Sequence, residues 1–258
     1  MESVRHHGRE TGYRSEVAGK TGPTVLYVHG SGGTHLVWGN QYSDGDHPAV
    51  AVDLSGHGPS EDIETAAGVA TLDAYADDVV AVATATEADV LVGNSLGGAV
   101  TLWVLLERDW EPDAVVLTGT GPTLPVYEDL REWLASDFDR ALSFLHGRDR
   151  LFHTTDEQLL SRSRAVVADV GQPVTRRDFL TCDQFDVRDS LSEIDIPALA
   201  LCGEHDKLTP RSAHERLARE IPAGEFALVP DAAHLAMLER PAVFNELVSE
   251  FVSDIYKV

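Results

Sequence analysis

Apolar residues along the chain gather into short continuous runs, separated by stretches with a helical repeat. Thr24-Val25-Leu26-Tyr27-Val28 is the first run, Ala49-Val50-Ala51-Val52 the second and Val90-Leu91-Val92 the third. Ala114-Val115-Val116-Leu117, Ala198-Leu199-Ala200-Leu201 and Phe226-Ala227-Leu228-Val229 follow. These runs are continuously apolar, so each predicts a strand covered on both faces. Between them, Ala99, Leu102, Trp103 and Leu106 fall on one face of a helix, as do Val243, Phe244, Leu247, Val248 and Phe251 near the end. Thr209-Pro210 predicts an N-cap followed by proline at the first helical position. Residues 2–18, with Gly8 and Gly12 between mixed runs, predict a hairpin. Strands alternating with helices imply an α/β fold: a parallel sheet flanked by helices.

One interval breaks this rhythm. From Gly121 to about Asp189 no strand pattern occurs, while Leu130, Trp133, Leu134, Phe138, Leu142 and Leu145 carry a helical one. A polar joint falls at Gly171-Gln172-Pro173. The expected organisation is therefore a core of residues 1–121 and 190–258, with a helical cap inserted at 122–189.

A chain of 258 residues forms a sizeable core without metals or disulfides. Its charge is unusual: 43 Asp plus Glu against 20 Lys plus Arg, a formal net charge of -23. That excess argues against nucleic acid and against anionic lipid as partners. The three lysines are Lys20, Lys207 and Lys257. Acid excess with scarce lysine resembles proteins of salt-in halophiles, whose self-repulsion is screened in concentrated salt. Two cysteines, Cys182 and Cys202, make no disulfide framework, the first residues lack a signal-peptide core, and no apolar run approaches a membrane span. The expectation is a soluble, cytoplasmic protein. Whether it is a monomer or a homodimer is open.

The chemistry centres on Gly93-Asn94-Ser95-Leu96-Gly97, placed after a strand and before a helix. A serine on so sharp a turn needs small neighbours two positions either side, and glycines stand there. Ser95 is the candidate nucleophile and needs a base. His234, in the loop after the sixth run, suits that role because its proton affinity lies near working pH. Asp206, in Cys202-Gly203-Glu204-His205-Asp206, is the candidate acid that orients His234, with Glu204 as rival; His205 is read as structural. An oxyanion needs fixed donors. Leu96 N–H, at a helix start, is one; Ser31 N–H, in His29-Gly30-Ser31-Gly32-Gly33, is the other, with Gly32 as runner-up. His29, Asp53 and His57 are read as loop architecture.

Together these segments resemble the α/β-hydrolase fold family, over nearly the whole chain. The resemblance rests on His29-Gly30-Ser31-Gly32, Asp53-Leu54-Ser55-Gly56-His57-Gly58, Gly93 to Gly98, Gly203 to Asp206 and Pro230 to His234. It implies an eight-stranded, mostly parallel sheet whose first two strands are the N-terminal hairpin, a cap after strand six, and a Ser95–His234–Asp206 triad. Serine at the elbow excludes the dehalogenases and epoxide hydrolases of this fold, which use aspartate. Cleavage of a carboxylic ester, lactone or thioester through an acyl-enzyme is the expected activity, on a small ester-like substrate. A carbon–carbon bond hydrolase of ring-cleavage products and a cofactor-free haloperoxidase share the triad and stand as alternatives, as does a binding protein without activity. No cofactor is required, and no His, Cys and carboxylate spacing predicts a metal site. Substrate contacts are expected from Gly32, His35, Leu36 and Trp38 beside the oxyanion loop. Leu124, Trp133, Phe138, Phe144 and Phe152 are expected from the cap, where packing is the competing role.

Overall fold

The computed structural model describes residues 1–257. Its strands are β1 (Glu2–His6), β2 (Arg9–Glu16), β3 (Val25–Val28), β4 (Ala49–Val52), β5 (Val90–Asn94), β6 (Ala114–Thr118), β7 (Ala198–Gly203) and β8 (Gly224–Val229). The helices are α1 (Gly39–Asp44), α2 (Val69–Thr86), α3 (Leu96–Glu107), α4 (Glu128–Ser136), α5 (Phe138–Leu145), α6 (Glu157–Val170), α7 (Gln172–Gln184), α8 (Arg211–Glu220), α9 (Ala236–Glu239) and α10 (Pro241–Ile255). All eight strands form one sheet in the order β1-β2-β4-β3-β5-β6-β7-β8. The β1–β2 hairpin is antiparallel and joins β4 antiparallel; every pairing from β4 through β8 is parallel.

Successive strand residues point to opposite faces, and both faces are covered. Leu26, Val28, Val50, Val52, Leu91, Val115 and Leu117 pack with Leu72, Tyr75 and Val79 of α2 and with Val100 and Leu102 of α3. Val25, Tyr27, Ala49, Ala51, Val90, Val92 and Val116 pack on the other face with Trp38, Phe244, Val248 and Phe251. These strand residues are buried on both sides, which accounts for the unbroken apolar runs.

Helices α4–α7 lie between β6 and β7 in the chain. Leu130, Leu134, Ala141 and Leu145 of α4 and α5 form a small core of their own, with Trp133, Phe138 and Phe144 against it. Asp137 and Asp156 cap α5 and α6, each accepting from a first-turn N–H. Gly171, at φ +87°, turns the chain between α6 and α7, where Pro173 falls in the first turn. Helix α8 starts one residue later than its sequence suggests. Pro210 is the N-cap, and the Thr209 hydroxyl donates instead to the Gly119 carbonyl at 2.9 Å. Among the described residues no helix is long and apolar enough to cross a membrane.

Candidate active site

In a parallel sheet all strands deliver their carboxyl ends to one rim, and ligands gather there. Asn94 ends β5, and Ser95 follows at φ 56°, ψ −117°. This is a left-handed backbone that a non-glycine residue tolerates only where its surroundings enforce it. They do so here. A Cβ on Gly93 would sit 2.5 Å from the Gly97 carbonyl, and one on Gly97 would sit 2.3 Å from the Val28 carbonyl. The Ser95 N–H donates to the Thr118 carbonyl of β6 at 2.9 Å, and its own carbonyl receives the Ala99 N–H at 3.1 Å.

Asp206 and His234 come from the loops after β7 and β8. The His234 Nδ1–H donates to Asp206 Oδ2 at 2.9 Å. Asp206 Oδ1 accepts the N–H groups of Leu208 and Thr209 at 2.8 and 2.9 Å, so the carboxylate is fixed before the imidazole meets it. Both side chains are nearly buried. With Nδ1 committed to Asp206, Nε2 is the imidazole nitrogen left to accept a proton. Asn94 ties this loop to the elbow, its Nδ2 donating to the His234 carbonyl at 3.3 Å. Glu204, the rival acid, is exposed and instead accepts the Asp231 N–H at 3.1 Å.

Leu96 is the first residue of α3, and Ser31 sits in the turn after β3. Neither N–H has a hydrogen-bond acceptor among the described residues, whereas the Gly32 N–H donates to Asp178 Oδ2 at 2.9 Å. His29 is structural: its Nδ1–H donates to the Gly30 carbonyl at 2.9 Å and its Nε2 accepts the Leu54 N–H at 3.1 Å. Burial, with His57 nearby, lowers it to about 4 and holds it neutral.

A cavity of about 730 Å³ lies over the strand ends, between them and α4, α6 and α7. Ser95, His234, Ser31, Gly30 and Asn94 line its floor; Leu124, Leu130, Val166 and Phe179 line its apolar wall. Arg162 of α6 is the one Lys, Arg, Asp or Glu in that lining. The expected contacts are partly corrected. Gly32, His35 and Trp38 do not line the cavity; Leu36, as expected, does, together with Thr34, Val37 and Asn40. Gly32 is turned to Asp178, and the His35 ring donates to Asp53 Oδ2 at 2.8 Å. Trp38 is fully buried beneath the sheet, its ring 5.0 Å from that of Tyr27. Residues 35–38 form a tight three-residue-per-turn helix that presents Leu36 and Val37 to the cavity and Trp38 to the core. Trp133, Phe138, Phe144 and Phe152 serve packing and do not line the cavity, while Leu124 does.

Outside the cavity, Asp149, His153 and His205 bring ligand-type atoms within 4.8 Å of one another, and Glu204, His205 and Asp231 do the same. The His153 and His205 rings are stacked, 3.8 Å apart and 16° from parallel. Two such rings cannot both aim in-plane lone pairs at one ion. Asp149 is also paired with Lys207 Nζ at 2.6 Å, which makes the Asp149–His153–His205 group a poor cation site as it stands.

A sequence model of the alpha/beta hydrolase family matches residues 25–247. Pimeloyl-(acyl-carrier protein) methyl ester esterase of Neisseria meningitidis serogroup C is 31% identical over 228 residues, covering 81% of this chain and 84% of that protein. The solved structure of a thermophilic esterase superposes with a TM-score of 0.87 at 28% identity, covering 99% of this chain and 98% of that one. Est816, described as an N-acyl homoserine lactone degrading enzyme, does so with a TM-score of 0.84 at 25% identity, covering 97% and 100%. The chain belongs to the alpha/beta hydrolase family.

Proposed function

We propose that this protein is a serine hydrolase cleaving a small carboxylic ester through an acyl-enzyme, with helices α4–α7 as its cap. One observation carries the reading. Ser95, held at φ 56°, lines the same cavity as His234, whose Nδ1–H is fixed on Asp206 at 2.9 Å. Ser95 Oγ attacks the ester carbonyl while His234 Nε2 takes its proton. The carbonyl oxygen becomes an oxyanion held by the Leu96 and Ser31 N–H groups. The C–O bond to the alcohol breaks, and His234 returns the proton to the leaving oxygen. Water, deprotonated by His234, then attacks the acyl-serine and releases the acid. The names of the relatives support ester substrates, and the lactone-degrading neighbour supports their cyclic counterparts. The largely apolar cavity wall favours an apolar acyl group.

A fluorophosphonate is expected to label wild-type protein on Ser95, and Ser95→Ala is expected to abolish both labelling and aryl-ester hydrolysis with an unchanged circular dichroism spectrum. The substrate panel adds lactones, thioesters and a dienolic diketone. Turnover of the diketone alone would favour the carbon–carbon hydrolase. A folded wild-type protein that neither labels nor turns over any of them would sink the reading.

A further inference from the structure

Helix α7 meets the oxyanion turn with polar side chains. Thr175, Asp178 and Thr181, three residues apart and so on one face of the helix, are all fully buried. Three donors from three separate segments converge on the Asp178 carboxylate. The Gly32 N–H and His57 Nε2–H reach Oδ2, each at 2.9 Å, and the Tyr75 hydroxyl reaches Oδ1 at 2.7 Å.

The partners of His57 define its charge. Its Nδ1 lies 3.2 Å from the carbonyls of both Leu54 and Ser55, while Nε2 faces the carboxylate. With acceptors facing both nitrogens, the contacts favour the doubly protonated ring. Burial acts against that charge, but the Asp178 carboxylate outweighs it and raises His57 above its ordinary value. Buried ion pairs contribute little net stability relative to apolar packing. What they supply is a fixed direction, and here the direction is toward the turn after β3.

That turn is clamped. Its Gly33 N–H closes on the Gly30 carbonyl at 3.0 Å. Gly32 has φ +63°, and a Cβ there would lie 2.9 Å from Val167 Cγ1 and 3.0 Å from Thr175 Oγ1. Ser31 Oγ lies 3.6 Å from Cys182 Sγ, also on α7. Asp178 does not line the cavity; its contact with the turn is through Gly32.

We infer that Asp178 is a positioning residue for acyl transfer: by taking the Gly32 N–H it fixes the turn so that the Ser31 N–H remains directed at the oxyanion. The inference rests on the serine-hydrolase reading above. It makes the cap helix part of the catalytic geometry as well as a cover for the substrate.

The test compares Asp178→Ala, Asp178→Asn and Tyr75→Phe on a soluble aryl ester. Misplacing one oxyanion donor by a fraction of its contact distance lowers kcat by about 10- to 100-fold, with KM within about threefold, and this is the result expected for Asp178→Ala. Asp178→Asn keeps an acceptor for Gly32 and should recover most of kcat. Tyr75→Phe leaves Oδ2 and its contacts in place, so it should lower Tm yet keep kcat. Asp178→Ser, which leaves room for water, replaces the alanine variant if that one does not fold. A second readout needs no turnover. In ¹⁵N-labelled protein the Ser31 and Gly32 amide resonances should move in Asp178→Ala or Asp178→Ser and hold in Tyr75→Phe. A folded truncation variant with wild-type kcat, or with an unmoved Ser31 amide, would overturn the inference. Equal loss of kcat in Tyr75→Phe would reduce the network to a structural one. If the wild type turns over no ester, the functional reading fails, while the amide shifts still decide whether Asp178 holds the turn.

Discussion

Acidification should destabilise this fold through two buried histidines, and the size of the effect follows from their contacts. His29 Nε2 accepts the Leu54 N–H at 3.1 Å, and His214 Nε2 accepts the Thr120 N–H at 3.2 Å. Protonating either ring would set donor against donor in a dry interior. Burial lowers both from 6.5 to about 4. A base whose folded value is depressed gives its full stabilisation above its unfolded value, so stability is lost as pH falls from about 6.5 toward 4. The loss is about 1.4 kcal/mol per pH unit for each ring, or about 2 kcal/mol each near pH 5. His57 has the opposite sign: raised by Asp178 against the effect of burial, it stabilises below its ordinary value and its contribution fades as pH rises. Asp178 is lowered by His57 and its other donors despite its burial, so its contribution is lost only in stronger acid. The perturbation is His214→Gln, whose side-chain carbonyl can still accept the Thr120 N–H but does not titrate. Urea unfolding of wild type and variant near pH 7.5 and near pH 5, in about 1 M NaCl to suppress surface repulsion, gives a double difference in which shared carboxylates cancel. The variant should lose about 2 kcal/mol less than wild type, against a total of roughly 5–15 kcal/mol for a typical fold. Equal losses would refute the assignment of His214 as a neutral, backbone-accepting ring.

Asp206→Asn should lower kcat by about 10³- to 10⁴-fold in steady-state ester hydrolysis while the protein stays folded, because His234 loses the partner that sets its tautomer. Gly97→Ala would drive a Cβ to 2.3 Å from the Val28 carbonyl and 2.6 Å from that of His29, both of them backbone. It should cost about 1–3 kcal/mol in a denaturant melt and about 100-fold in kcat. With a net charge of -23, Tm in thermal scans should climb as NaCl is raised from about 0.1 to about 1 M, which shortens the screening length from about 10 to about 3 Å; a flat profile would end the halophile-like reading.

Much of this was legible from local pattern. The six apolar runs became β3 to β8, Gly8 marked the β1–β2 hairpin, and Gly171-Gln172-Pro173 became the joint between α6 and α7. Elbow and hairpin carry their constraints within a few residues, so side-chain size alone reveals them. What escaped depends on distant partners. Asp178 looks like any polar residue of a helix exposed to water, and only the packing of α7 against Gly32, His57 and Tyr75 shows that it is buried. Thr175, Asp178 and Thr181 at helical spacing, short and with few charges, are the faint trace of a polar stripe turned inward. Asn94 stood inside the elbow motif, but its bond to the His234 carbonyl spans 140 residues of sequence. Leu36 was legible as a lining residue, but Val37 lines the cavity where Trp38 was expected, because the tight helix at 35–38 turns Trp38 into the core.

The pairing of His57 with Asp178 at full burial has a bearing on how such an acidic molecule keeps its chemistry constant. Mobile ions reach the outer carboxylates but not a dry pair in the interior, where water and counterions are excluded. Ionic strength should therefore tune the shell of the protein without altering this buried pair, so folding and turnover should answer to brine separately: the melting curve is expected to move with added salt, and the rate per folded molecule to hold.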